Sequence, residues 1–236
     1  MGVVSPAGQI PPQRGSELAL ETLHVGAQQA IEAGDTGHDV LLFAFAGSGT
    51  LAGEPLATGS AALLLEGEEA TLVVGARGLS VVRVTIGADT DLHAPMGPRE
   101  RIVEIAEVEP GKATGSRSFQ LLFGPHNGST RASMFVGYVP PGKAPWHYHL
   151  YDEIIWIWRG PGRYHLGEAT EPLEDGSALR LTPREVHIVE NTSQDSELAI
   201  LGVFTPAGSP SAAYLTPEVA AAYAVTGFSL ERRGSR

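Results

Sequence analysis

The chain has 236 residues, a formal charge of −11 and no cysteine. The missing cysteines exclude disulfides, thiolate zinc sites, iron–sulfur clusters and a cysteine nucleophile, so any metal takes nitrogen and oxygen ligands. With 27 acidic against 16 basic residues and no Lys/Arg cluster, the field repels phosphate backbones and anionic membranes, and neither is an expected partner.

In chain order, the N-terminal stretch 1–15 lacks a basic-then-apolar leader pattern. No apolar run approaches the roughly 18 residues that a membrane-spanning helix needs. A cytoplasmic location is the expectation. A weak helical pattern covers 17–33, interrupted by Gly26. Beyond it, short β-branched or apolar runs separated by Gly, Pro and Asp predict strands at 40–46, 61–65, 70–74, 79–86, 101–108, 118–123, 132–139, 153–158, 178–182, 186–190 and 198–204. Thr216 and Pro217 open a short C-terminal helix, with a capping hydroxyl followed by a proline in the first turn. Many short strands at regular spacing predict an all-β sandwich or barrel.

The two halves resemble each other. At an offset of 113, Gly47-Ser48-Gly49 falls on Gly160-Pro161-Gly162; at 117, Gly59-Ser60-Ala61 falls on Gly176-Ser177-Ala178. The four-residue difference falls in a hairpin, where length changes are tolerated. An internal duplication follows, divided in the Pro-rich stretch 90–115 into units 1–110 and 111–236.

Three of the eight histidines have metal-ligand spacing. In His147-Tyr148-His149 both imidazoles share one face of a strand, because side chains alternate. Glu153 follows four residues later, and His187 lies on another expected strand. Three imidazoles and a carboxylate suit one divalent transition metal, Mn, Fe, Ni, Zn or Cu, with positions left open for substrate.

The stretch Gly142-KAPW-His147-Y-His149-LYD-Glu153-IIWIWR-Gly160 resembles the first cupin motif, with one residue fewer after the first Gly. Gly176-SALRLT-Pro183-REV-His187-IVE-Asn191 resembles the second. There, Glu185 stands in a Gly position and the Pro-to-His spacing is one residue short. The resemblance implies two jelly-roll-type β-barrels in tandem, with His147, His149, Glu153 and His187 as metal ligands. By the repeat offsets, the corresponding first-half positions are Gly34, Thr36, Val40 and Ala70, none of which ligates. One metal site, in the C-terminal barrel, is therefore expected.

If Glu153 points inward, Ile155 and Ile157 share its face and form an apolar substrate wall, while Trp156 and Trp158 point outward. Those two rings then need cover, from the other barrel or from a second subunit of a homodimer. Trp146 and Tyr151 are further substrate-binding candidates, and Arg159, with Arg163 and Arg180, could clamp a carboxylate. Glu185 and Tyr138 are the catalytic candidates, Glu185 as an orienter or proton shuttle for His187. The implied chemistry is Lewis-acid isomerase or lyase catalysis on a small oxygen-rich molecule, the outline resembling two-barrel cupin isomerases. The alternatives are dioxygen activation at the same metal, as in cupin dioxygenases, and metal-dependent binding without catalysis.

Overall fold

The computed structural model describes residues 4–87, 93–113 and 115–217. Its first strands are β1 (Ala19–Val25), β2 (Ala30–Glu32), β3 (His38–Leu51), β4 (Glu54–Ala57), β5 (Ser60–Leu64), β6 (Thr71–Gly87) and β7 (Ile102–Glu104). After Glu104 come β8 (Gly111–Lys112), β9 (Ser118–Phe123), β10 (Ser133–Val139), β11 (Gly142–Lys143), β12 (His147–Tyr148) and β13 (Asp152–Arg159). The last are β14 (Gly162–Leu166), β15 (Ala169–Leu173), β16 (Ala178–Leu181), β17 (His187–Asn191), β18 (Leu198–Thr205) and β19 (Tyr214–Leu215). The expected strands are all represented. The weak helical pattern at 17–33 is instead β1 and β2, because Gly26 turns the chain and Leu20 finds a buried cross-strand position on β6. The body of the expected C-terminal helix, Glu218 to Tyr223, lies outside the described residues.

β1–β7 form one seven-stranded sheet in which the long β3 and β6 pair along nearly their whole length. Their register shifts twice, and beside the shifts Gly47 and Gly78 adopt left-handed φ of 83° and 80°. A Cβ at Gly47 would lie 2.1 Å from the Gly78 carbonyl oxygen, so no other residue fits this crossing. The space inside is filled by Val40, Leu42, Leu51, Leu64, Leu72 and Val81. The C-terminal half is built from two six-stranded sheets, ordered β16-β13-β18-β10-β9-β8 and β15-β14-β17-β12-β19, with β11 beside β17. Ile155, Ile157 and Leu179 of the first meet Tyr164 and Val189 of the second. Gly47 and Gly160 share left-handed φ, as do Gly59 and Gly176, but Gly47 lies within β3 while Gly160 follows the end of β13.

Strand alternation joins the two barrels. On β3, Val40 and Leu42 point into the N-terminal barrel, while Leu41 and Phe43 point outward. On β13, Ile155 and Ile157 point inward, while Ile154 and Trp156 point outward. The two outward faces pack on each other as a third apolar core. Trp156 meets Phe45 at 4.9 Å between centroids, and Trp158 meets Phe43 at 5.0 Å. Of the two covers open to these tryptophans, the N-terminal barrel supplies the one seen. Among the described residues no helix is long and apolar enough to cross a membrane.

Candidate metal centre

The pairing of β12 with β17 sets His147 directly opposite His187, and His149 follows at the end of β12. Together they form the cluster in which each ligand atom lies within 4.8 Å of the others, the one such group found among the described residues. All three are buried, and their ring centroids are 4.5–5.2 Å apart. In the N-terminal barrel, Val40 and Ala70 occupy the corresponding positions as core residues.

The orientation of each imidazole is set from behind. Nδ1 of His147 faces the Pro145 carbonyl at 2.7 Å, that of His187 the Glu185 carbonyl at 2.9 Å, and that of His149 the Ala212 carbonyl at 3.5 Å. A carbonyl only accepts, so Nδ1 carries the proton and Nε2 is left as the lone-pair donor on all three rings. Burial holds the rings neutral: His147 is pushed down to about 2, His149 to about 3 and His187 to about 4; repulsion from His187 adds to the first two and Arg117 to all three, while Glu185 opposes the shift of His187. Neutral imidazoles with converging Nε2 atoms are the metal-binding form.

Glu153 enters from β13 in the opposite sheet, fully buried, with Oε2 3.5 Å from His149 Nε2. That oxygen accepts no hydrogen bond, and burial pushes the carboxyl up to about 8, Asp152 adding to the rise and Arg117 opposing it. A buried carboxylate with an unsatisfied oxygen beside three neutral imidazoles is costly unless a cation joins it. A divalent metal supplies that cation, and an N3O set suits the transition metals. The residues present therefore fit a divalent transition metal held by His147, His149, His187 and Glu153.

The four residues line a cavity of about 60 Å³. Of the sequence candidates, Tyr138, Tyr151 and Ile155 also line it. Tyr151 stacks on His149 at 4.6 Å and on Phe204 at 4.0 Å, and burial raises its phenol far above the ordinary value. Tyr138 donates to Gln120 Oε1 at 2.5 Å, which ties it to the barrel junction. Ile157 lies deeper, in the core between the sheets. Trp146, just before β12, does not line the cavity. Arg159 is exposed and stacks over Trp158 at 4.2 Å, on the outward side of the strand that carries Glu153. Glu185 orients His187 through its carbonyl, while its carboxylate accepts from Thr182 N and Oγ1 at 2.9 and 2.8 Å. Arg180 is committed to Asp152 and to the N-terminal segment. The cation that does line the cavity is Arg117, which sequence reasoning passed over. It sits just before β9 with no ligand near it in sequence, so no local pattern marks it.

Residues 134–204 match the family model of the cupin domain. No curated protein sequence matches the chain. Among solved structures, oxalate decarboxylase from Bacillus subtilis, described for its Mn(II) centres, aligns at a TM-score of 0.68 and 13% identity, over 83% of this chain and 71% of that one. The same enzyme studied for its substrate binding mode aligns at 0.68 and 14%, over 83% and 70%. Its structure at pH 4.6 aligns at 0.65 and 14%, over 81% and 68%. At such identity the likeness is one of fold. Joined to the family match, it gives the chain a cupin domain over residues 134–204, the segment that carries His147, His149, Glu153 and His187, within a fold like that of the decarboxylase.

Proposed function

We propose that the chain is a divalent-metal-dependent lyase whose substrate is a small carboxylate. The observation that carries this reading is Arg117 lining the same cavity as the three histidines and Glu153. A guanidinium presents a planar fork that matches a carboxylate in two parallel hydrogen bonds. The cavity, about 60 Å³, gives room for roughly four to six water molecules at about 10–15 Å³ each. That favours a substrate of a few heavy atoms over a sugar, and so narrows the isomerase-or-lyase expectation towards the lyase side. The fold neighbours support it, since they are named as decarboxylases of a two-carbon dicarboxylate.

A bound metal would supply a Lewis acid for negative charge developing on substrate oxygens. The chain's own residues do the rest. Arg117 binds and orients the carboxylate. Phe119, Phe135, Val139 and Ile200 line the cavity with apolar surface, which excludes water and strengthens each charged contact inside. Tyr151, kept protonated by burial, lines the cavity beside His149 as a neutral hydrogen-bond donor for a substrate oxygen.

The test is to load the protein separately with Mn(II), Fe(II), Co(II) and Zn(II) and offer two- to four-carbon mono- and dicarboxylates, oxalate included, while following CO2 release and oxygen uptake. CO2 release without net oxygen consumption is expected, with about one metal per chain. Stoichiometric oxygen uptake would point to the dioxygenase instead, and absence of turnover with saturable carboxylate binding to a binding protein. Arg117→Met should raise the barrier to kcat/KM by about 2–5 kcal/mol, the cost of stripping one partner from a buried charged pair. An unchanged value would remove Arg117 from the site.

A further inference from the structure

The N-terminal segment 4–18 does not stay with its own sheet. Ser5 forms an antiparallel bridge with Ala178, at 2.6 and 2.9 Å, covering the otherwise free edge of β16. Val4 N donates to Glu171 Oε2 at 3.3 Å, and its side chain packs on the core of the C-terminal barrel. Farther on, Ile10 bridges Leu20 of β1. Beyond Ile10 the arm meets Arg180, which stands on the outward face of β16 because Leu179 and Leu181 point inward.

Arg180 is buried and its guanidinium serves four acceptors. Nη1 donates to Ser16 Oγ at 2.7 Å and Asp152 Oδ2 at 2.5 Å, and Nη2 donates to the Pro11 carbonyl at 3.1 Å and to that of Leu18. Ser16 Oγ in turn donates to the same Asp152 Oδ2. The other oxygen of Asp152 accepts no hydrogen bond, so Oδ2 alone holds this carboxylate. Asp152 is the first residue of β13, and the next residue, on the inward face, is Glu153.

We propose that the arm is a positioning element of the metal centre: Ser16 and Arg180, acting through Asp152, set the start of β13 and thereby the aim of Glu153. This rests on the reading of Glu153 and the three histidines as a metal centre. Without the arm, Arg180 keeps one acceptor of four, a poor state for a buried guanidinium, and Asp152 shifts with it. Lysine does not replace this residue, because an ammonium lacks the planar fork that reaches acceptors on two chain segments at once.

Full-length protein carrying Arg180→Met, Arg180→Lys, Asp152→Asn or Ser16→Ala is titrated with Co(II) alone, reading the visible bands, which respond to ligand number and type. Glu153→Gln supplies the spectrum of a site without the carboxylate. Arg180→Met and Asp152→Asn should move towards that spectrum and bind Co(II) about tenfold more weakly, the scale found for residues supporting metal ligands. Arg180→Lys and Ser16→Ala, which endanger folding less, should move the same way by a smaller factor. Arg83→Met, which breaks ion pairs to Glu21 and Asp35 in the N-terminal sheet, should keep both spectrum and affinity. Wild-type spectra and affinities in the folded Arg180 and Ser16 variants would overturn the proposal, as would an equal shift in Arg83→Met. If the wild-type chain takes up no Co(II) at its histidines, the metal reading falls and takes this one with it; if it does and only the variants are silent, the positioning role alone falls.

Discussion

At the scale of single residues, the centre is built from buried groups whose charged forms burial disfavours, and this makes the metal-free protein sensitive to acid. His147, His149 and His187 have folded values depressed below 6.5, to about 2, 3 and 4. Their contribution is whole above pH 6.5 and is lost as pH falls, because the unfolded chain takes up the protons. Glu153, raised from 4.5 to about 8, has the opposite sign: its contribution is present below pH 4.5 and is lost as pH rises through 8. Between pH 4.5 and 6.5 three histidine protons outweigh one carboxyl proton. Chelator-treated protein should therefore lose stability on acidification across that window, by at most about 3 kcal/mol per pH unit. Thermal melts at several pH values check this, and a flat or rising profile towards pH 4.5 would contradict it. Gly202 offers a second test. A Cβ there would lie 2.3 Å from the Phe135 ring and 3.1 Å from Glu153 Oε1. Gly202→Ala should cost about 1–3 kcal/mol by overpacking and weaken Co(II) binding, because the ring and the carboxylate must both move.

At the scale of elements, period-two alternation on β13 carried most of what was legible. It placed Glu153 and Ile155 inside and the two tryptophans outside, and the cupin motif added His187 from β17. The limits of legibility have the same source. Trp146 and Arg159 are near the ligands in sequence yet outside the cavity: Trp146 precedes β12, and a register shift after Ile157 breaks the alternation before Arg159. Arg117 lies on a segment whose place is fixed only by how β8 and β9 join the edge of their sheet, a long-range pairing with no local signal. Glu185 was recognised as supporting His187, but a carbonyl does that work and a carbonyl has no sequence identity. Because the outward ring of Trp156 belongs to the barrel junction and not to the cavity, Trp156→Ala should cost about 3–5 kcal/mol of stability. Metal content by elemental analysis should stay near that of the wild type; loss of metal in a folded Trp156→Ala protein would join that ring to the site.

At the scale of the whole molecule, the two halves differ in what fills them. The N-terminal barrel packs Val40 and Ala70 into its aliphatic core at positions that the sequence offsets match to Glu153 and His187. The two are also tied by Arg131, which reaches from the C-terminal half to Asp39 at 3.1 Å and Glu66 at 2.9 Å. With a shared apolar core, crossing ion pairs and the arm of one half laid on the other, the barrels should melt in a single calorimetric transition, and adding metal to one should shift the whole transition upward. Two resolved transitions, only one of them metal-sensitive, would contradict that.

The face that covers Trp156 and Trp158 has a further consequence in mass action. An interface between separate subunits is lost on dilution, whereas the same interface within one chain sees a fixed effective concentration set by the linker. The contact between these barrels is of the second kind. Its integrity is independent of how much protein the solution holds, and a dilution series would leave it unchanged.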